Sequence, residues 1–237
     1  MVKDNTRKSI IAIIPARGGS KGIPKKNIID FCGKPLLAWS IQQALDSSLV
    51  NEVYVSTDDT EIAAVAKKYG AQVIKRPEEI SGDTAKSEDA LKHVIVEVQK
   101  NNPAKIDYVV FLQATSPLRE ARDIDNAINK IISENADSLF SGADLKDFCI
   151  WKKVDGVLNS INYDYRQRGR RQDFGEQFVE NGSLYVFRPE ILFADNNRLG
   201  GKITISKMEF WKSFEIDEPE DVEFCKNIFQ IKLLFKK

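Results

Sequence analysis

Residues 9–27 read SIIAIIPARGGSKGIPKKN, an uninterrupted apolar run that leads directly into a loop of glycines and cations. A short apolar run bounded by turn signals is typical of a strand buried on both faces of a parallel sheet. Comparable runs recur at 53–56 (VYVS) and 108–112 (YVVFL), with amphipathic helical patterns between them. This alternation predicts an α/β fold with a mostly parallel central sheet and right-handed crossovers.

Between these strands, apolar residues recur every three or four positions, which predicts helices. We expect one helix with Pro35 at its first position, one capped by Thr57 or Asp58 and closed by Gly70, and others over 87–100 and 123–134. Later segments predict strands at 182–187 and 203–206 and a closing helix from Asp221.

The pattern changes after residue 140. Residues 141–180 are polar, aromatic-rich and irregular, and 166–171 (RQRGRR) holds four arginines. We interpret 141–180 as an arm inserted into a single domain that spans 1–237. The arginine run is either a solvated basic loop or an anion clamp, because arginine binds carboxylate and phosphate groups in a bidentate way.

The charge balance of the chain excludes some classes of partner. The 237 residues include 35 Lys and Arg against 35 Asp and Glu, and a dedicated nucleic-acid binder usually carries a basic excess. No apolar run approaches the roughly 18 residues that suggest a membrane span, and no signal peptide is visible. Three cysteines without CxxC spacing fit a reduced compartment, so we expect a cytoplasmic protein.

The loop at 15–27 has the composition of a phosphate site. Ligands of open α/β sheets bind beyond the carboxyl ends of strands, where this loop lies. Its three glycines within five residues let the backbone approach an anion, and four cations accompany them: Arg17, Lys21, Lys25 and Lys26. The loop matches neither a Walker motif nor GxGxxG. A flexible basic surface loop is the alternative.

A second polar segment, 113–119 (QATSPLR), directly follows the strand predicted at 108–112. It therefore also lies at a carboxyl end, where ligands bind. Thr, Ser and Pro are equally common in ordinary turns and helix starts, so a plain turn is the alternative.

Glu215 and Asp217 form a third candidate. In an extended segment, residues i and i+2 point to the same side, so these two carboxylates would face one way. Such oxygens suit Mg²⁺, which binds through one or two carboxylates together with substrate phosphates. The alternative is that Asp217 caps the closing helix. The single histidine, His93, lies between apolar helix positions and is expected to be structural, so no Ser–His–Asp triad can be assembled.

Five segments in order resemble one known family, the CMP-sialic acid synthetases (acylneuraminate cytidylyltransferases), along nearly the whole chain. The segments are 13–27 (IIPARGGSKGIPKKN), 53–77 (VYVSTDDTEIAAVAKKYGAQVIKRP), 112–119 (LQATSPLR), 170–187 (RRQDFGEQFVENGSLYVF) and 214–222 (FEIDEPEDV). The GGSKG sequence favours the nonulosonate branch over the related Kdo cytidylyltransferases.

This resemblance implies a Rossmann-like nucleotidyltransferase fold with an inserted dimerisation arm, and hence a homodimer. It also implies an enzyme that uses Mg²⁺, or Mn²⁺ in its place, to join CTP and a nine-carbon keto-acid sugar into a CMP-sugar with release of pyrophosphate. The alternatives are the same reaction on legionaminate, pseudaminate, Kdn or Kdo, or a non-catalytic nucleotide-binding module. Nucleic acid and membrane are not expected partners.

The resemblance also implies site residues. It gives catalytic roles to Arg17, Lys21 and Asp217, and a metal site to Asp217 and Glu215. The family usually has Asp where this chain has Glu215, so Asp217 is the firmer ligand. The nucleotide-binding residues implied are Ala16, Arg17, Gly18, Ser20, Lys21, Lys26, Asn27, Arg76 and Ser87. The sugar-binding residues implied are Gln113, Thr115, Lys152, Arg171, Asn181 and Tyr185.

Overall fold

The computed structural model describes residues 8–20, 22–102, 105–146, 148–167, 169–170 and 175–235. Its strands are β1 (Ile10–Pro15), β2 (Asp30–Phe31), β3 (Lys34–Pro35), β4 (Glu52–Thr57), β5 (Gln72–Lys75), β6 (Tyr108–Leu112), β7 (Ser138–Asp144), β8 (Trp151–Val154), β9 (Val157–Ser160), β10 (Phe178–Phe187) and β11 (Ile203–Lys207). Its α-helices are α1 (Leu36–Leu45), α2 (Thr60–Lys68), α3 (Ser87–Asn101), α4 (Ala121–Ser133), α5 (Pro189–Asp195) and α6 (Pro219–Phe229).

Seven of these strands form the central sheet in the order β11-β7-β10-β6-β1-β4-β5. Strand β10 runs antiparallel to both of its neighbours, and the remaining pairs of the sheet are parallel. The predicted mostly parallel α/β sheet is therefore confirmed. Because β1 and β6 are parallel neighbours, the loops that follow them leave the sheet at the same edge.

Strand β1 is central because both of its faces are apolar. Ile10, Ala12 and Ile14 belong to a core cluster with residues of α1, α2 and α4, such as Ile41, Ile62 and Ile124. Ile11 and Ile13 belong to a second cluster with Leu91, Val94 and Ile95 of α3. Alternation along the strand thus sends successive side chains to helices on opposite faces of the sheet.

Two helix starts differ from the predictions. Helix α1 begins one residue after Pro35, which lies at the N-cap position instead of the first turn. Helix α2 is capped by Asp59, whose carboxylate accepts two backbone N–H groups of the first turn at 2.8 and 2.9 Å. The cap predicted at Thr57 or Asp58 is wrong, because Thr57 is still the last residue of β4. Gly70 follows the helix end at φ +94°, as predicted.

The inserted segment is shorter than the predicted 141–180. Residues 141–144 belong to β7 and residues 178–180 belong to β10, so the segment between the two sheet strands is 145–177, here called the arm. Within it, β8 and β9 form a hairpin outside the central sheet, joined by Asp155 and Gly156 at positive φ. The prediction began too early because β7 contains Ser141 and Gly142, which lack a strand-like composition yet are buried.

In the residues described above, no helix is long and apolar enough to cross a membrane.

Candidate active site

A cleft of about 500 Å³ opens beyond the carboxyl ends of β1 and β6. It is lined by residues of the loop 15–27, by Arg76 after β5, by 85–87 at the start of α3, by 111–115 at the end of β6 and by 217–218 before α6. The three sequence segments that were proposed as separate candidates, 15–27, 113–119 and 215–217, therefore meet in one place, as expected for loops leaving one edge of a parallel sheet.

The loop after β1 is held in shape by side-chain contacts to its backbone. The amide Nδ2 of Asn27, which is buried, donates a hydrogen bond of 3.0 Å to the carbonyl oxygen of Arg17. The backbone N–H of Gly18 donates to the Asp58 carboxylate at 3.1 Å. These two contacts tie the start of the loop to its end and to the segment that follows β4.

Two glycines of this loop are required by close approach. A Cβ atom built on Gly18 would lie 2.9 Å from Oδ2 of Asp59, the residue that caps α2. A Cβ atom on Gly22 would lie 2.5 Å from the backbone carbonyl oxygen of Asp217. The loop thus passes directly against the segment that carries the predicted metal ligand.

Some of the remaining predicted nucleotide-binding residues of the loop line the cleft, and one is buried beneath it. Ser20 lines the cleft, whereas Ala16 is buried in the core beneath it. Arg17 lines the cleft and donates to the carbonyl oxygen of Gly82 at 2.7 Å, with Asp83 at 3.2 Å. Lys21 lies outside the described residues, so its role stays a prediction.

Lys26 connects the cationic loop to the carboxylates. Its Nζ lies 2.8 Å from Oδ1 of Asp217, and its side chain is only 14% exposed, against 61% for Asp217. A lysine predicted to bind triphosphate and a carboxylate predicted to bind metal are therefore direct neighbours. This contact joins the two halves of the predicted chemistry.

Glu215 and Asp217 flank Ile216 in the segment before α6. Ile216 between them is fully buried, and its backbone N–H donates to the carbonyl oxygen of Thr115 at 2.8 Å. Burial raises the pKa of Glu215, and the negative charge of Asp217 raises it further, while Lys26 opposes the shift. Asp217 lines the cleft, whereas Glu215 is not part of the lining and lies close enough to Asp217 and Lys26 to feel their charges.

The donor set fits a divalent cation that is shared with a substrate. Among the residues that the structure describes, no group of three or more His, Cys, Asp or Glu side chains could hold a metal. Mg²⁺ is usually bound by one or two carboxylates together with substrate phosphate oxygens, and this site offers two carboxylates. Asp217 and Glu215 are the residues that could hold such an ion.

Asp217 is not the cap of the closing helix. Helix α6 begins at Pro219, two residues before the predicted start, and its N-cap is Glu218, which forms a capping box with Asp221. Asp221 in turn accepts the backbone N–H of Asp217 at 2.9 Å. The alternative interpretation of Asp217 is therefore wrong, and its carboxylate is left for the cleft.

Arg76 forms the wall of the cleft on the β5 side. Its guanidinium donates to the hydroxyl and the carbonyl oxygen of Ser56 at 3.0 and 2.7 Å, and the residue is 6% exposed. Burial lowers the pKa of Arg76, with Asp58 opposing the shift and Arg17 adding to it. The guanidinium is therefore held against the end of β4, and the residue contributes to the lining of the cleft.

The N-terminus of α3 opens into the cleft. Ser87 is the first helical residue, and Lys86, at the N-cap position, provides no side-chain cap. The backbone N–H groups of the first turn of a helix carry a partial positive charge and are suited to bind anions. The predicted nucleotide-binding residue Ser87 therefore lies where a polar or anionic group would be favoured.

Gln113 and Thr115, both predicted to bind sugar, line the cleft at the end of β6. Their loop is held from below by Arg119, which sequence reasoning did not single out. The fully buried guanidinium donates to the carbonyl oxygens of Gln113, Ser116 and Ser183 at 2.9, 3.0 and 2.8 Å. Burial lowers the pKa of Arg119 to about 9, with Asp123 opposing the shift.

Three other predicted sugar-binding residues, all within the described part of the chain, do not line this cleft. Asn181 is buried and accepts hydrogen bonds from the Ser141 hydroxyl and the Ser183 backbone N–H. Tyr185 is buried behind the cleft residue Phe111, with ring centroids 5.5 Å apart. Lys152 is exposed on β8 in the arm.

Their roles stay predictions, as does that of Arg171, which lies outside the described residues. His93 lies on α3 and is not part of the cleft lining.

Residues 11–237 match a protein family described as Cytidylyltransferase. A relative from Danio rerio, N-acylneuraminate cytidylyltransferase A, is 37% identical over 219 residues, which are 91% of this chain and 49% of that protein. A pseudaminic acid cytidylyltransferase from Campylobacter jejuni is 34% identical over 227 residues, 93% of this chain and 96% of that protein. The solved structure of CMP:2-keto-3-deoxy-manno-octonic acid synthetase complexed with CTP is similar with a TM-score of 0.69 at 18% identity, covering 95% of this chain and 100% of that one.

The chain thus spans about half the length of the N-acylneuraminate cytidylyltransferase it matches in fish and nearly all of the bacterial relative. At 18% identity the structural similarity shows a shared fold, and it confirms the nucleotidyltransferase fold predicted from the sequence.

Proposed function

The chain belongs to the cytidylyltransferase family, and on that premise we propose that it transfers CMP from CTP to the 2-hydroxyl of a nonulosonate and releases pyrophosphate. N-acylneuraminate is the first candidate sugar, and pseudaminate is the second, because relatives named for each sugar match most of this chain. The observation that carries the proposal is the contact between Lys26 and Asp217, which brings the cationic loop and the Asp217 carboxylate together in one cleft.

The chain's own residues would act by position and charge. Attack of a hydroxyl on the α-phosphate needs little covalent help from the protein, so orientation and electrostatics supply most of the rate. Arg17, Lys26 and the backbone N–H groups of the loop 15–27 would hold the triphosphate. Mg²⁺ bound by Asp217 and Glu215 would neutralise negative charge that develops on it.

Two further groups of cleft residues would select the substrates. Arg76 and Ser87 flank the side of the cleft where the cytosine base is expected. Gln113 and Thr115 provide an amide and a hydroxyl at the end of β6, which suit the hydroxyls of a sugar acid. Arg171 is proposed to bind the sugar carboxylate, because arginine binds carboxylates in a bidentate way.

We further propose a homodimer formed through the arm, in which Lys152 reaches the partner's cleft. The arm exposes large apolar side chains that a monomer would leave in water: Phe148 at 56%, Val157 at 62%, Leu158 at 61% and Ile161 at 59%. Contiguous exposed apolar groups of this kind mark interaction sites. The free thiols of Cys32, Cys149 and Cys225 suit a cytoplasmic location.

The test is a panel of nonulosonates and Kdo with CTP and Mg²⁺, read by pyrophosphate release. We expect release that requires both CTP and one class of sugar, and its loss in Asp217→Ala. The matched control is Glu97→Ala, which removes an ion pair of 2.6 Å with Lys100 on the far part of α3. Calorimetric binding of CTP without release on any sugar would support the nucleotide-binding module instead, and an active Asp217→Ala variant would contradict the metal assignment.

A further inference from the structure

Residues 82–87, here called the wall segment, form one side of the cleft through 85–87. Its first residue is held by Arg17, which donates to the carbonyl oxygen of Gly82 at 2.7 Å. Residues 82–86 precede α3, which begins at Ser87. The position of the wall segment therefore depends on the side chains that contact its two ends. The second end is held by a residue that does not line the cleft.

That residue is Arg198, in the loop between α5 and β11. Its Nη1 donates to Oε1 of Glu88 at 2.5 Å and to the hydroxyl of Ser87 at 3.2 Å. Both side chains of the ion pair are mostly buried, with 22% and 13% exposure. A charge-assisted hydrogen bond in such a setting is short, strong and specific in direction.

The same guanidinium also lies over two aromatic rings. Its central carbon lies 4.2 Å from the ring centroid of Tyr185 and 5.4 Å from that of Phe111. Phe111 lines the cleft beside the proposed sugar contacts, and Tyr185 stacks on it at 5.5 Å. One side chain thus contacts both the wall segment on the nucleotide side and the aromatic pair on the sugar side.

This arrangement is costly to maintain. The Nε atom of Arg198 is buried, and it has no hydrogen-bond partner within the described part of the chain. A buried unsatisfied donor lowers stability, and such groups in native proteins call for an explanation other than packing. A leucine or methionine would lack the unpaired Nε but would leave the Glu88 carboxylate without its partner.

We propose that Arg198 is a positioning residue that fixes the distance between the nucleotide wall and the sugar wall of the cleft. The proposal rests on the function proposed above. It assigns two separable tasks: the ion pair with Glu88 sets the wall segment for CTP, and the stacking on Tyr185 supports Phe111 for the sugar.

The experiment compares steady-state KM values of four variants. We expect Arg198→Leu to raise the KM for both CTP and sugar about tenfold, the effect of about one charge-assisted hydrogen bond. Glu88→Gln should raise only the KM for CTP. Arg198→Lys should recover most of the CTP effect, because an ammonium can still reach Glu88, but little of the sugar effect. The double variant Arg198→Leu with Glu88→Gln should be no worse than Arg198→Leu alone.

Arg188→Leu is the matched control for loss of a structural arginine. Arg188 also lies over a tyrosine, with its guanidinium carbon 5.7 Å from the Tyr108 ring centroid, and it donates to Asn135 at 2.8 Å at the opposite edge of the sheet. This variant should lose a similar amount of thermal stability and keep both KM values.

Equal KM values in Arg198→Leu and Arg188→Leu overturn the proposal, as does a Glu88→Gln variant with unchanged KM for CTP. If Arg198→Leu fails to fold, the KM values of Glu88→Gln and Arg198→Lys test the positioning role. A wild-type protein that releases no pyrophosphate but binds CTP refutes the proposed function alone. The dissociation constants of the same variants for CTP then test the positioning role.

Discussion

Replacing Gly22 by alanine is expected to separate the loop 15–27 from the segment that carries Asp217, the proposed metal ligand. The added Cβ would lie 2.5 Å from the backbone carbonyl oxygen of Asp217, whereas real Cβ contacts essentially never fall under 3.0 Å. The backbone segments of Gly22 and Asp217 must therefore move apart by at least the difference between these distances, 0.5 Å. Neither atom lies on a flexible side chain that could turn away, so the backbone itself must shift.

Two magnitudes follow from this shift. Overpacking of a well-packed site typically costs about 1–3 kcal/mol, which for a chain of this size lowers the melting temperature by roughly 2–12 °C. A misplacement of about 1 Å in a catalytic site can reduce the rate about 100-fold, so half of that shift should cost about tenfold in kcat/KM. The carboxylate pair moves with Asp217, so the loss should appear in kcat more than in the KM for the sugar.

The assay combines pyrophosphate release with thermal unfolding, and the same loop provides the control. A Cβ on Gly19 would meet nothing within 4 Å, and Gly19 is not at positive φ. Gly19→Ala should therefore keep or slightly raise the melting temperature, because it restricts the unfolded chain without a clash. A Gly22→Ala variant as stable as Gly19→Ala and as active as wild type would refute the close approach of the two segments.

Three other perturbations test separate parts of the molecule. Lys26→Met should lower kcat/KM for CTP about 100-fold, as loss of one preorganised cation does, whereas Lys25→Met, which breaks only an exposed pair of 2.6 Å with Glu61, should change it little in the same assay. Lys212→Met should lower the free energy of unfolding in urea by about 3–5 kcal/mol, because the fully buried ammonium lies 2.7 Å from the Asp123 carboxylate and its loss leaves an unpaired buried charge. Burial, together with the hydrogen bond to Glu180, raises the pKa of Tyr185 to about 12 from its ordinary 10, so its stabilisation is complete below pH 10 and is lost as pH rises towards 12. Tyr185→Phe should flatten the fall in melting temperature over that alkaline range, and a slope equal to that of wild type would contradict the assignment.

The strands that are buried on both faces of the sheet could be predicted from the sequence. In β1, β4 and β6 nearly every side chain is buried, so an apolar run is enough to locate the strand within one or two residues. The pairing of Glu215 with Asp217 could be predicted for a similarly local reason, since alternation along an extended segment depends only on the backbone. The meeting of the loops after β1 and β6 followed from the parallel sheet.

Other features depend on contacts that are distant in sequence. Arg119 and Lys212 are charged residues that the sequence would place in water, yet both are fully buried, because acceptors from other elements surround them. The role proposed for Arg198 depends on contacts with residues of α3, β6 and β10, and no local sequence pattern shows that these elements meet. Strand β7 was not predicted, and its residue Ser141 is buried with its hydroxyl bonded to the Asn181 side chain, a contact that no local pattern reveals.

The contact between Lys26 and Asp217 bears on how substrates would enter the cleft. The two side chains lie 2.8 Å apart, so each charge is paired with the other. A free triphosphate approaching Lys26 would meet the carboxylates, and a free divalent cation approaching Asp217 would meet the ammonium, and like charges this close cost free energy. A nucleotide that carries its cation with it presents each side chain with the opposite charge. Under the proposed function, this cleft therefore favours CTP and Mg²⁺ as one complex over either component alone.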